Sequence, residues 1–136
     1  MNHIPARTAW AEARGEGEDG MQGVMNVIFR RAQRPGWWGR TPDEVCLKSS
    51  RGVYQFSCHD PDDPNCAKLK AVDAQDHEFS IALRLELQAQ KGTLPDITGG
   101  ATHYFDDSIL ANPPRWASRM EKTKVIGRLH FFKEGD

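Results

Sequence analysis

Between Gly20 and Ala32 the apolar residues fall at Met21, Val24, Met25, Ile28, Phe29 and Ala32, which is the spacing of one helical face. A stripe this wide is stable only when other elements close over it, so the segment predicts a central buried helix with the rest of the chain packed around it. Gln22, Asn26, Arg30, Arg31 and Gln33 occupy its polar side, and Pro35-Gly36 ends it because proline has no N–H to continue the ladder. Trp37 and Trp38 follow in a tight connection.

Other signals place partners for that helix. Thr41-Pro42-Asp43-Glu44 is a capping box with proline at the first helical position, opening a short helix through Val45 to Leu47. From Ser49 to Asn65 the residues turn to Gly, Ser, Asp, Pro and Cys, which reads as loop with a short strand over Val53 to Ser57. Asn65 can cap a helix over Cys66 to Asp73. A longer helix is expected from His77 to Gln90, with Phe79, Ala82, Leu83, Leu85, Leu87 and Ala89 inward and Gly92 as its stop. His103-Tyr104-Phe105 and the stretch Val125 to Phe132 alternate as short strands, with Val125, Leu129 and Phe131 set on the core. The fold class is therefore α+β, a mainly helical single domain with a small hairpin or sheet. At 136 residues the chain fits one core, and no separate second module is expected.

Eighteen basic against nineteen acidic residues leave almost no net charge, which argues against nucleic acid or an anionic surface as partner. Arg30, Arg31, Arg34 and Arg40 around Trp37 and Trp38 are the only support for a nucleic-acid binder. No apolar run is long enough to enter a membrane, and Met1-Asn2-His3-Ile4-Pro5 carries neither a charged leader nor an apolar signal core, so the expectation is a chain made in the cytoplasm. The acidic loop Asp60-Pro61-Asp62-Asp63-Pro64-Asn65 lacks the glycine and distal glutamate of a calcium hand and reads as a solvated turn.

The chemistry concentrates at Ala11-Glu12-Ala13-Arg14-Gly15-Glu16. A helix over Thr8 to Arg14 buries Trp10 and sets Glu12 near a C-terminal end, where carbonyls and partial negative charge raise a carboxyl pKa. A proton kept there is what breaking a glycosidic bond requires, since the leaving oxygen must be protonated. The other reading of the same residues is a solvated helix end.

Glu12-Ala13-Arg14-Gly15-Glu16, then Gly20-Met21-Gln22-Gly23-Val24-Met25-Asn26-Val27-Ile28-Phe29-Arg30-Arg31, Gln55-Phe56-Ser57, Gly100-Ala101-Thr102-His103-Tyr104 and the closing Lys124 to Phe132 together resemble the spore-cortex-lytic-enzyme type of cell wall hydrolase over nearly the whole chain. The resemblance implies a lysozyme-like fold and cleavage of peptidoglycan between N-acetylmuramic acid and N-acetylglucosamine, in many members as a lytic transglycosylase. Peptidoglycan glycan strands are then the partner, no cofactor or metal is required, and a monomer is expected. A cytoplasmic origin and a wall substrate are reconciled by a phage or prophage lysin, or by a lysozyme carried in a virion.

Within that frame Glu12 is the catalytic candidate, acid first and base second. Glu16 is either a supporting carboxylate or a residue that shapes the turn, and Tyr104 either donates a hydrogen bond to Glu12 or substrate, or simply packs. Gln55 and Ser57 suit acetamido groups, Phe56 suits a sugar face or the core, and His103 is placed on the opposite wall. Trp37, Trp38 and Trp116 are candidates for stacking on sugars, with at least one buried. Of Cys46, Cys58 and Cys66, a Cys46–Cys58 disulfide is one reading, open only in an oxidising compartment, and a metal site with His59 is a weaker rival. Two functional alternatives remain open: a hydrolytic muramidase, and a catalytically silent glycan-binding or virion structural module.

Overall fold

The computed structural model describes residues 1–34 and 36–135. Helix α1 (Ile4–Ala13) starts at Ile4 rather than the expected Thr8, with Pro5 in the first turn where a missing N–H costs nothing. Its cap comes from far along the chain. The buried Glu86 carboxylate accepts from Ala6 N at 3.3 Å, satisfying one orphan donor at the positive end of the helix, and pairs with the His3 side chain at 2.8 Å.

After a 3-10 turn at Arg14–Glu16, helix α2 (Gly17–Gln33) is the central helix, beginning at Gly17 rather than Gly20. Met21, Val24, Met25, Val27 and Ile28 are fully buried. Asn26 and Arg31, assigned to a polar face, are buried too, because the chain wraps α2 on more than one side. Arg34 leaves the helix in extended conformation, as a residue before proline must; Pro35 itself, taken as the stop, lies outside the described residues.

Helix α3 (Pro42–Leu47) has the predicted cap, Thr41 Oγ1 accepting from Glu44 N at 3.1 Å, while Glu44 reaches back to Arg40 N and not to Thr41 N. The strand expected over Val53 to Ser57 is shorter. Strands β1 (Ser49–Ser50) and β2 (Val53–Tyr54) form a hairpin, and Ser57–His59 already turns as a 3-10 helix. Helix α4 (Pro64–Ala71) starts two residues ahead of the expected Cys66, so Asp63 is its cap, and Asn65, inside the first turn, accepts from the Arg14 guanidinium. The carbonyls at its far end, Leu69 and Val72, receive the Arg7 guanidinium at 2.6 and 2.9 Å.

Helix α5 (His77–Gln90) has the expected bounds, with Asp76 accepting from Phe79 N. Phe79, Ala82 and Leu85 are buried, but Leu87 is half exposed and Glu86 is buried instead. Leu87 lies two residues from Leu85, about 200° round the helix, so the two cannot share a face. Strands β3 (His103–Asp106), β4 (Met120–Ile126) and β5 (Leu129–Glu134) make an antiparallel sheet in the order β3-β5-β4. Val125 to Phe132 is therefore not one strand but the end of β4, a turn at Gly127 with φ 57°, and most of β5. Val125, on the outer strand, is 49% exposed and not on the core, whereas Leu129 and Phe131 of the central strand are buried. The sheet meets α2 so closely that a Cβ on Gly23 would stand 2.6 Å from Phe131 Cζ. The α+β class and its small sheet are as expected.

Candidate active site

Where α1 ends against β3, Glu12 comes within reach of Tyr104, whose hydroxyl donates to Glu12 Oε1 at 2.5 Å. Tyr104 is fixed by the strand register opposite Phe131, the two rings 5.6 Å apart, and by Phe56 at 6.5 Å on its other flank. The buried Cys58 thiol is among the groups that lower the Glu12 pKa. Around this pair opens a cavity of about 380 Å³ whose walls include Gln55, Phe56, Ser57, Arg31, Asp106 and Trp116.

Burial raises the Glu12 pKa above its ordinary value; Tyr104 and Cys58 oppose the rise, and the negative charges of Asp63 and Asp106 add to it. The helix end invoked from the sequence is not the leading cause. Burial also drives Tyr104 well above the usual phenol value, so it remains a proton donor. Asp106 moves the other way, held low first by the Ser108 backbone N–H, and so stays ionised. The cavity thus pairs a carboxyl inclined to keep its proton with one that has lost it, the separation by environment on which acid–base catalysis rests.

Gln55 and Ser57 are exposed on the cavity wall, while Phe56 is buried and serves as both floor and core. Glu16 is elsewhere: its Oε2 accepts from Arg128 N at 3.3 Å across the β4–β5 turn, against Gly127, where any side chain would collide with it. It shapes that turn and does not line the cavity. His103 is not on the cavity wall either. It packs between Trp38 and Trp116, with ring centroids at 5.3 and 4.8 Å, and burial with Arg31 and Arg34 nearby lowers its pKa to about 4. Of the tryptophans, Trp38 is buried, Trp37 is 56% exposed beside it, and Trp116 reaches the cavity.

Cys46, Cys58 and Cys66 are free buried thiols, so the Cys46–Cys58 bridge is not formed. His59 Nε2 bonds Thr8 Oγ1 at 2.7 Å, Cys66 points at the His59 carbonyl, and among the described residues no three such groups converge as metal ligands would. The sequence reading did not place Arg31, Asp106 or the neighbouring Phe105, Ser108, Ile109 and Pro114 at the cavity. Arg31 carried a helical-face signal for the wrong face, and Asp106 carried none.

No curated protein matches this sequence. Two solved structures do. The catalytic domain of the germination-specific lytic transglycosylase SleB from Bacillus anthracis superposes with a TM-score of 0.68 at 23% identity, covering 96% of this chain and 91% of that one. The catalytic domain of the Bacillus cereus SleB protein gives 0.67 at 21% identity, covering 96% and 88%. At these identities the likeness is one of fold, and it is the lysozyme-like α+β fold expected. The sequence pattern of the cell wall hydrolase family matches residues 15–132, starting just beyond Glu12 and taking in Gln55, Arg31, Tyr104 and the β4–β5 hairpin. Matched over most of its length, the chain belongs to the cell wall hydrolase family.

Proposed function

We propose that this enzyme cleaves the glycosidic bond between N-acetylmuramic acid and N-acetylglucosamine in peptidoglycan as a lytic transglycosylase, with Glu12 as acid and then base. The observation that carries the reading is the half-buried Glu12 carboxyl, inclined to keep its proton and held by Tyr104 in a cavity of sugar size. Protonated Glu12 gives its proton to the glycosidic oxygen as the C1–O bond breaks, and positive charge develops at C1. The resulting carboxylate takes the proton of the muramic acid C6 hydroxyl as O6 bonds to C1. The ring closes to the 1,6-anhydro sugar, Glu12 ends with the proton it began with, and no water is consumed. Gln55 and Ser57 are the groups we assign to acetamido contacts, with Trp116 as a sugar platform.

Asp106 favours a second reading. An ionised carboxylate on the wall of the same cavity can activate a water, which makes the enzyme a hydrolytic muramidase. Mass spectrometry of fragments released from purified peptidoglycan separates the two. Products one water lighter than reducing muropeptides, absent with Glu12→Gln and retained with Asp106→Asn, are the expected result. Reducing muramic ends that vanish with Asp106→Asn would establish hydrolysis, and undiminished release by Glu12→Gln would remove Glu12 from the mechanism.

The proposal extends to a single monomeric catalytic domain and to its delivery as a phage lysin or virion component. Expression in a bacterial host with and without a membrane-permeabilising protein tests delivery, with lysis expected only when that protein is present.

A further inference from the structure

Each arginine near a carboxylate in this fold uses it: Arg30 with Asp96 at 3.1 Å, Arg84 with Glu18 at 2.7 Å, Arg34 with Glu134 and Arg128 with Asp106 at the surface. Arg31 differs. It is only 6% exposed, yet among the described residues no carboxylate lies within ion-pairing distance of it. Its Nε donates to the Thr102 carbonyl at 2.8 Å, fixing the guanidinium against β3, and the plane lies 4.7 Å over Trp38 and 5.6 Å from Phe56. Its two terminal nitrogens make no hydrogen bond to the described residues, and the side chain lines the Glu12 cavity. Burial lowers its pKa to about 10, which still leaves a cation at neutral pH.

Arg31 is thus a cation held by its Nε and aromatic flanks, with its terminal nitrogens bonded to no described residue on the wall of an open cavity, the setting in which an anionic ligand group can complete it. We propose that Arg31 is a substrate-binding residue whose counter-charge is a carboxylate carried by the muramic acid unit, taken by the terminal nitrogens as the glycan enters the cavity. This inference rests on the peptidoglycan reading above. The planar fork matches a carboxylate in two-point contact, and its fixed Nε and aromatic flanks keep the fork from turning away. The uncharged sugar hydroxyls and acetamido groups do not supply such a charge. On a peptidoglycan strand it comes from the lactyl arm of muramic acid or from the peptide stem attached to that arm. A cation against C1 would oppose the positive charge developing there, so this site belongs to the side arm and not to the reacting carbon.

The test is a titration of tryptophan fluorescence, for which Trp38 against Arg31 and Trp116 on the cavity wall are built-in reporters. Glu12→Gln protein, which cannot turn the ligand over, is titrated with a stem-free glycan tetrasaccharide bearing lactyl carboxylates, with its methyl ester, and with the stem-bearing strand. Expected is binding of the acid roughly tenfold or more tighter than the ester, the scale of a charge-assisted hydrogen bond. Adding Arg31→Gln should bring acid and ester to the same affinity, and Arg31→Lys should restore part of the difference. If Arg31→Gln fails to fold, the acid and ester comparison on protein with Arg31 intact already decides. A stem-bearing strand that binds like the ester assigns the lactyl carboxylate; one that binds like the acid, and loses that affinity with Arg31→Gln, assigns the stem. Equal affinities for acid and ester, or no binding of any of the three, would overturn the proposal. Failure of the functional reading looks different: charge-selective binding persists while wild-type enzyme releases no fragments.

Discussion

Gly23→Ala sets two known effects against each other at the point where helix and sheet touch. Gly23 lies inside α2, where alanine is the better helix former by about 1 kcal/mol, so local propensity alone predicts stabilisation. Packing predicts the reverse. The new Cβ would stand 2.6 Å from Phe131 Cζ and 3.3 Å from both Cε atoms, and ordinary carbon contacts need roughly 3.5–4.0 Å, so the ring must retreat by about 1 Å. Phe131 is fully buried on the central strand, paired on both sides, with Tyr104 on its flank. Overpacking of such a site costs typically 1–3 kcal/mol, and the absence of a free direction puts this case in the upper half. The net expectation is destabilisation of about 1–2 kcal/mol, or about 4–8 °C in Tm for a domain of this size. Urea unfolding measures it, with Gly15→Ala, where no atom lies within 4 Å of the added Cβ, as a neutral control. In a double-mutant cycle, Phe131→Leu should remove most of the penalty, giving a coupling of about 1 kcal/mol or more. Displacement of Phe131 also disturbs the ring that holds Tyr104 against Glu12, so activity should fall further than stability. A Gly23→Ala variant stabilised by the full helix-propensity gain would refute the close approach of α2 and β5.

Glu12→Gln should melt higher than wild type at pH 7.5 and equally at pH 4. With the folded pKa raised above the ordinary 4.5, the Glu12 contribution is fully present below that value and lost as pH rises through the folded pKa; equal melting at both pH values would contradict a buried acid. Tyr104→Phe removes a donor that lowers the Glu12 pKa, so the alkaline limb of the pH–activity profile should move to higher pH and kcat should drop roughly tenfold, whereas an unmoved limb would separate Tyr104 from the proton. Glu86→Ala strips the cap from α1 and is expected to cost about 2 kcal/mol in urea unfolding, against a few tenths if Ala6 N finds water instead.

Periodicity and local chemistry made the scaffold legible. The stripe from Met21 to Ala32, the Thr41 cap and the Asp76-preceded helix at His77 each involve contacts within one turn of helix, and such contacts are written in consecutive residues. The resemblance carried by Glu12, Gln55 to Ser57 and His103-Tyr104 pointed to the right family because those blocks keep their order along the chain. Tertiary structure decided the rest. Glu86 was hidden in an inward-looking helix pattern because its partners, Ala6 and His3, are about eighty residues away. Val125 and Leu129 looked alike until the Gly127 turn put one on an outer strand and the other on the central one. Cys58 and Cys46 stayed free, buried thiols, and Glu16 became a clasp on the hairpin. Arg31 sat on a face that is polar by sequence, and only the closure of β3 and Trp38 over it made it a buried cation facing the Glu12 cavity. The sequence by itself determined which segments form helices and which residue types are on hand for glycan chemistry, since both follow from near neighbours. The surroundings of each charge were decided only when distant segments met, because desolvation and pairing are properties of the packed interior.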